Sequence, residues 1–167
     1  MDNSVMLEEM LNNANTAIKE NRYEDASSIL EEIISIDPNF GKAYNHLAYL
    51  YDTKFRAYEK AETLYTLCLE KSPEYPPLYY NFAMLLSNLE KWEDLKNLLD
   101  KAIHVVGITK STIYNEYGIM YEQQNKFDTA IEYYKKSALS TIDNNALKRI
   151  KTSIDRTKQK KAIHYDL

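Results

Sequence analysis

A short turn pairing acidic and aromatic residues returns four times along the chain, and it limits the fold more than any other feature. It reads Asn21-Arg22-Tyr23-Glu24-Asp25-Ala26, then Arg56-Ala57-Tyr58-Glu59-Lys60-Ala61. The third copy is Glu90-Lys91-Trp92-Glu93-Asp94-Leu95, and the fourth is Asn125-Lys126-Phe127-Asp128-Thr129-Ala130. The aromatics Tyr23, Tyr58, Trp92 and Phe127 recur every 34 or 35 residues. Ahead of each turn runs a stretch with one small residue: Ala14, Ala48, Ala83 and Gly118. Behind each lies a second amphipathic run, and the first two close at Pro38 and Pro73. A unit this short cannot bury its apolar face alone, so its copies must stack.

Inside each copy the apolar period is helical. Tyr44, Leu47, Ala48 and Tyr51 fall at i, i+3, i+4 and i+7, and Ala61, Leu64, Tyr65 and Cys68 repeat the spacing. Each copy therefore reads as a helix, a tight turn and an antiparallel helix. Ala48 and Ala61 are expected where the two helices cross, because a larger side chain would hold the backbones apart. Tyr51, Tyr58 and Tyr65 are expected to fill the wedge against the next pair. Composition agrees. Average usage would supply roughly 12 Gly and 8 Pro, and the chain has 3 and 4, too few breakers for a sandwich or barrel.

The pattern resembles that of tetratricopeptide repeat proteins, over about residues 7 to 144. Tyr79, Phe82-Ala83 and Leu86 match the family's first helix, as do Tyr114, Tyr117-Gly118 and Tyr121; Ala26, Leu30, Ile33 and Pro38 match its second, as do Ala130 and Tyr134. Four positions depart from it. Asn13 is polar where a large apolar residue is usual, Leu95 takes an Ala slot, Gly107 stands near the usual Pro, and Ile142 stands in for the last one. The resemblance implies an all-α, right-handed superhelical solenoid of four helix-turn-helix repeats at about 7–40, 41–75, 76–110 and 111–144, together making an array over 1–144. Residues 145–167 are expected to form a C-terminal capping, solvating helix and basic tail, with Asp143 as N-cap and Leu147, Ile150 and Ile154 as one apolar stripe.

The resemblance also implies a concave groove lined by the first helix of every pair, receiving a peptide or helix of a protein partner. The expected lining is Asn15 from the first copy, Asn45, His46 and Tyr49 from the second, Tyr80, Asn81 and Met84 from the third, and Asn115, Glu116 and Ile119 from the fourth, with Leu11 and Ile18 beside them. Side-chain amides donate and accept, so Asn45, Asn81 and Asn115 suit the backbone of an extended peptide. Tyr49, Tyr80, Met84 and Ile119 offer apolar area. The plain alternative is a solvated face in an Asn- and Tyr-rich chain. Family members that clamp an acidic C-terminus do so with Lys, Asn and Arg. Here Asn15 fits that set, but Leu11, His46, Pro77 and Asn81 occupy the other slots, so the cations that would grip a carboxylate are missing.

Charge and chemistry narrow the rest. The net charge is −4, yet from Ala146 onward seven Lys or Arg face two Asp. That tail reads as a solvated helix end, with an acidic subunit, nucleic acid or anionic lipid as the alternatives. The three histidines stand apart and Cys68 is the single cysteine, so no metal, cofactor or catalytic site is expected. No leader or long apolar span is read, which places the chain in the cytoplasm. The expectation is a non-enzymatic adaptor or scaffold with a protein partner, neither nucleic acid nor membrane being expected. A structural subunit of a larger complex and a chaperone for an exported protein are the alternatives.

Overall fold

The structure, a computed structural model, describes residues 3–165. These residues form nine α-helices and no strand: α1 (Asn3–Lys19), α2 (Tyr23–Ile36), α3 (Gly41–Thr53), α4 (Tyr58–Lys71), α5 (Pro76–Asn88), α6 (Trp92–Ala102), α7 (Lys110–Gln123), α8 (Phe127–Leu139) and α9 (Asn144–Tyr165). The recurrent aromatics each open the second helix of a pair. Two residues before each of them the backbone turns left-handed, at Asn21 (φ 61°), Arg56 (φ 55°), Glu90 (φ 55°) and Asn125 (φ 59°). The αL residue reverses the chain within one step, and the N–H groups of Arg22, Lys91 and Lys126 then return to carbonyls five residues back.

The chain divides into two compact units, Met1–Leu85 and Leu86–Leu167, with the boundary inside α5. In the first unit α1 pairs with α2, and α3 with α4. Ala14, Ala17, Ala26, Ala48 and Ala61 are fully buried, as close helix crossings require. Tyr65 stacks on Phe82 at 5.3 Å between ring centres, joining α4 to α5. The closing prolines also accept hydrogen bonds: Tyr44 donates its hydroxyl to the Pro38 carbonyl (3.1 Å), and Tyr79 does the same to Pro73 (2.6 Å). Two expectations fail here. Tyr58 does not fill the wedge; as the first residue of α4 it is 42% exposed. Leu11 belongs to the core rather than to the lining, because it shares the inward stripe of α1 with Leu7 and Ala14.

In the second unit α7 and α8 form the central pair, with α6 against α7 and α9 against α8. Gly118 lies under the Tyr134 ring so closely that an added Cβ would sit 2.5 Å from it. Ser111 and Ser137 lock α7 to α8 reciprocally, each hydroxyl donating to the other residue's carbonyl (2.9 and 2.7 Å). Asp143 caps α9 through the N–H groups of Asn145 and Ala146. The buried stripe of α9 is shifted from the expected one. Ile150 and Thr157 are buried and Ile154 is partly so, while Leu147 is 44% exposed.

Candidate functional site: an amide-lined cavity in the first unit

The first helices of the pairs in the first unit enclose a cavity of about 540 Å³. Asn12, Asn15, Thr16, Ile18 and Lys19 reach it from α1, and Asn45, His46 and Tyr49 from α3; Tyr75, Pro77 and Asn81 come from the start of α5 and the residue before it. The α3 residues arrive together because positions i, i+1 and i+4 of a helix share one side. Pro76 and Pro77 open α5, where a missing N–H does no harm, and this seats Tyr75 at the cavity wall.

The polar groups are partly engaged with one another. Asn81 donates an amide N–H to the Asn45 side-chain oxygen at 3.2 Å, and Asn45 is buried. Asn45 thus orients Asn81 within the lining. The Tyr75 hydroxyl and His46 Nε2 lie 3.4 Å apart. Burial, and then the charge of Lys42, hold the His46 pKa below its ordinary value, so the imidazole is neutral at physiological pH. Among the described lining residues Lys19 is the one Lys, Arg, Asp or Glu.

The expected lining residues therefore have different fates. Asn15, Asn45, His46, Tyr49 and Asn81 meet in this cavity, together with Thr16, Lys19 and Tyr75, which sequence reasoning missed. Tyr80 is half-buried and Met84 is 57% exposed, and neither lines it. Asn115 instead lines a smaller cavity of about 330 Å³ among α7, α8 and α9. Its side chain bonds to Glu116, whose carboxyl burial pushes upward. Ile119 packs on the cluster of Ala130, Tyr134 and Ile150, beneath α9.

The tail has a structural task that the sequence reading did not contain. Glu122 is buried on α7, accepts the Tyr134 hydroxyl at 2.7 Å, and pairs with Arg156 (2.8 Å) and Lys160 (2.9 Å) of α9. Burial raises its pKa, and the bonds from Arg156, Lys160 and Tyr134 more than reverse this, bringing it down to about 2. The sign of this in the sequence was a pair of cations at i and i+4, Arg156 and Lys160, one helical turn apart. Cys68 is fully buried and its thiol is pushed up to about 12, so it is an unreactive core residue. Among the described residues no His, Cys, Asp and Glu gather as a metal site.

Antiparallel helix pairs in series, with the first helices framing a cavity, define a helical-repeat protein of the kind that recognises other polypeptides. The family model for the tetratricopeptide repeat matches residues 10–40 and 111–139, the first and fourth copies. Those two copies therefore match the tetratricopeptide repeat, and the fold of the whole chain is that of tetratricopeptide solenoids. Similar solved structures share the fold at low identity. Pseudomonas aeruginosa PilF aligns with a TM-score of 0.83 at 17% identity, over 99% of this chain and 73% of that one. YrrB, a tetratricopeptide protein with an unusual peptide-binding site, gives 0.72 at 17%, over 97% and 84%. Yeast Tom70 gives 0.80 at 21%, over 96% of this chain and 34% of its own. A sequence search of curated proteins finds no match.

Proposed function

We propose that the chain is a non-enzymatic adaptor that captures an extended segment of a partner protein in the cavity of its first unit. The observation carrying this reading is the lining itself: amides and tyrosines on three helices around about 540 Å³, with Lys19 as the one Lys, Arg, Asp or Glu among the described lining residues. Asn15 and Asn81 would bond the backbone of the segment, with Asn45 holding Asn81 in place. Tyr49 and Ile18 would receive an uncharged side chain. A carboxylate finds one cation there, so strongly acidic segments are disfavoured. A single small site of this type binds at roughly micromolar strength, about −8 kcal/mol. YrrB, whose peptide-binding site is named in its description, is a precedent for the mode only.

The test is selection of random peptides on the full chain, followed by titration against Asn15→Ala/Tyr49→Ala. Selected peptides should be poor in acidic residues and lose at least about tenfold in affinity to the double variant, while the helical circular dichroism spectrum stays unchanged. Undiminished binding by that variant would move the site elsewhere.

A further inference from the structure

The most exposed aliphatic side chains of the second unit gather on one edge. Packed neighbouring helices with short connections run in opposite directions, so α6 and α8 end, and α7 and α9 begin, at that edge. Val106 in the α6–α7 connection is 91% exposed, Leu139 at the end of α8 is 89% exposed, and Ile142 before α9 is wholly exposed. Leu147, half exposed in the first turns of α9, continues the set. Single exposed aliphatics are ordinary; three almost wholly solvated ones at neighbouring helix ends are a feature.

Exposed cations stand among them: Lys101 and Lys110 flank the Val106 connection, Lys136 precedes Leu139, and Lys148 and Arg149 come directly after Leu147. The carboxylates at this edge, both solvent-accessible, are engaged by neighbouring groups. Asp100 bonds Lys96 and Tyr117, and Asp143 caps α9. The corresponding connections of the first unit, Asp37-Pro38-Asn39-Phe40 and Ser72-Pro73-Glu74-Tyr75, carry prolines and acids and no aliphatic tip.

We propose that this edge of the second unit docks on an anionic bilayer, its aliphatic tips entering the headgroup layer and its cations meeting lipid phosphates. Tips that project fully into solvent suit a deformable interface, whereas a preformed protein groove would have to match each of them. Nearby Lys and Arg strengthen such attachment additively while an apolar side chain anchors it. Among the described residues no helix is long and apolar enough to cross a membrane, so the contact is peripheral. The inference stands apart from peptide capture in the first unit.

Cosedimentation of the full chain with vesicles tests it. Binding to phosphatidylcholine vesicles containing phosphatidylglycerol should exceed binding to phosphatidylcholine alone by at least about tenfold and weaken in high salt. Val106→Ser/Leu139→Ser/Ile142→Ser should lower it by about tenfold, as should Lys148→Glu/Arg149→Glu; all five positions are exposed, and circular dichroism checks the fold. In a Trp92→Phe background, Ile142→Trp should shift its emission to the blue on anionic vesicles. Failure to bind anionic vesicles, binding indifferent to the serine variant, or an unshifted Ile142→Trp emission on bound vesicles each overturns the proposal. Retention of an acidic amphipathic peptide in place of vesicles would do so as well, by giving the edge to a protein.

Discussion

Tyr65 in the first unit and Tyr134 in the second hold the same place in the repeat, and their surroundings have diverged. Both are fully buried on the second helix of a pair. The Tyr134 hydroxyl donates to Glu122, which two cations of α9 hold in turn. The Tyr65 hydroxyl is buried without a hydrogen-bond partner among the described residues, although the charge of Asp52 on α3 acts on it. Glu122 stands four residues after Gly118, and Asp52 four after Ala48, so the two carboxylates occupy matching repeat positions with side chains one methylene apart in length. The lesson is that the repeat dictates where a tyrosine sits, and its neighbours decide whether the hydroxyl stabilises the fold or burdens it. The first unit leaves its α1 and α3 amides facing a cavity, whereas the second uses its longest helix to bridge a buried charge.

Breaking the charge bridge should have the largest effect. Arg156→Leu leaves a buried carboxylate with one cation and should destabilise the second unit by about 2–4 kcal/mol, read from denaturant melts. Acid provides a graded form of the same test. Glu122 titrates lower when folded than its ordinary 4.5, so its contribution is complete above 4.5 and fades as pH falls towards 2. His46 is also depressed, but from 6.5, so the first unit should begin losing stability as pH falls through 6.5, when the unfolded chain takes up the proton more readily. Amide exchange across pH should therefore show the first unit loosening before the second. His46→Gln should abolish the earlier phase and Glu122→Gln the later one.

Gly118 and Ala48 sharpen the contrast at matching positions. Gly118→Ala drives a Cβ into the Tyr134 ring and should cost about 1–3 kcal/mol, while Ala48→Gly should cost about 0.5–1 through helix propensity. Next come the tyrosines themselves. Tyr134→Phe should lose about 1–2 kcal/mol, and Tyr65→Phe should be neutral or gain up to about 1, since it removes a buried donor that the protein leaves unpaired. Equal losses from both would erase the comparison. The smallest effect belongs to the turns. Arg56→Gly and Glu90→Gly should each stabilise by about 0.5–1 kcal/mol by relieving a positive φ, and the same change at Asn21 or Asn125 should do less because Asn tolerates that region.

How far the site was legible depends on the range of the forces involved. Asn15, His46, Tyr49 and Asn81 were expected on the groove side because the family resemblance implies it, and all four line the cavity. That Asn81 would engage Asn45, 36 residues away, could not be read. Asn115 and Ile119 share the repeat position of Asn45 and Tyr49, yet α9 lies beside them, a neighbour that no feature within one repeat announces.

By itself the sequence determined the helix pairs, the small residues at their crossings and the resemblance to tetratricopeptide repeats, because steric exclusion and apolar periodicity act over a few residues and repeat with the chain. The tertiary structure alone decided which polar groups find partners, which aliphatic tips stay in water, and what the basic tail holds. Those outcomes depend on desolvation and on distances between residues tens of positions apart, and no local pattern encodes them.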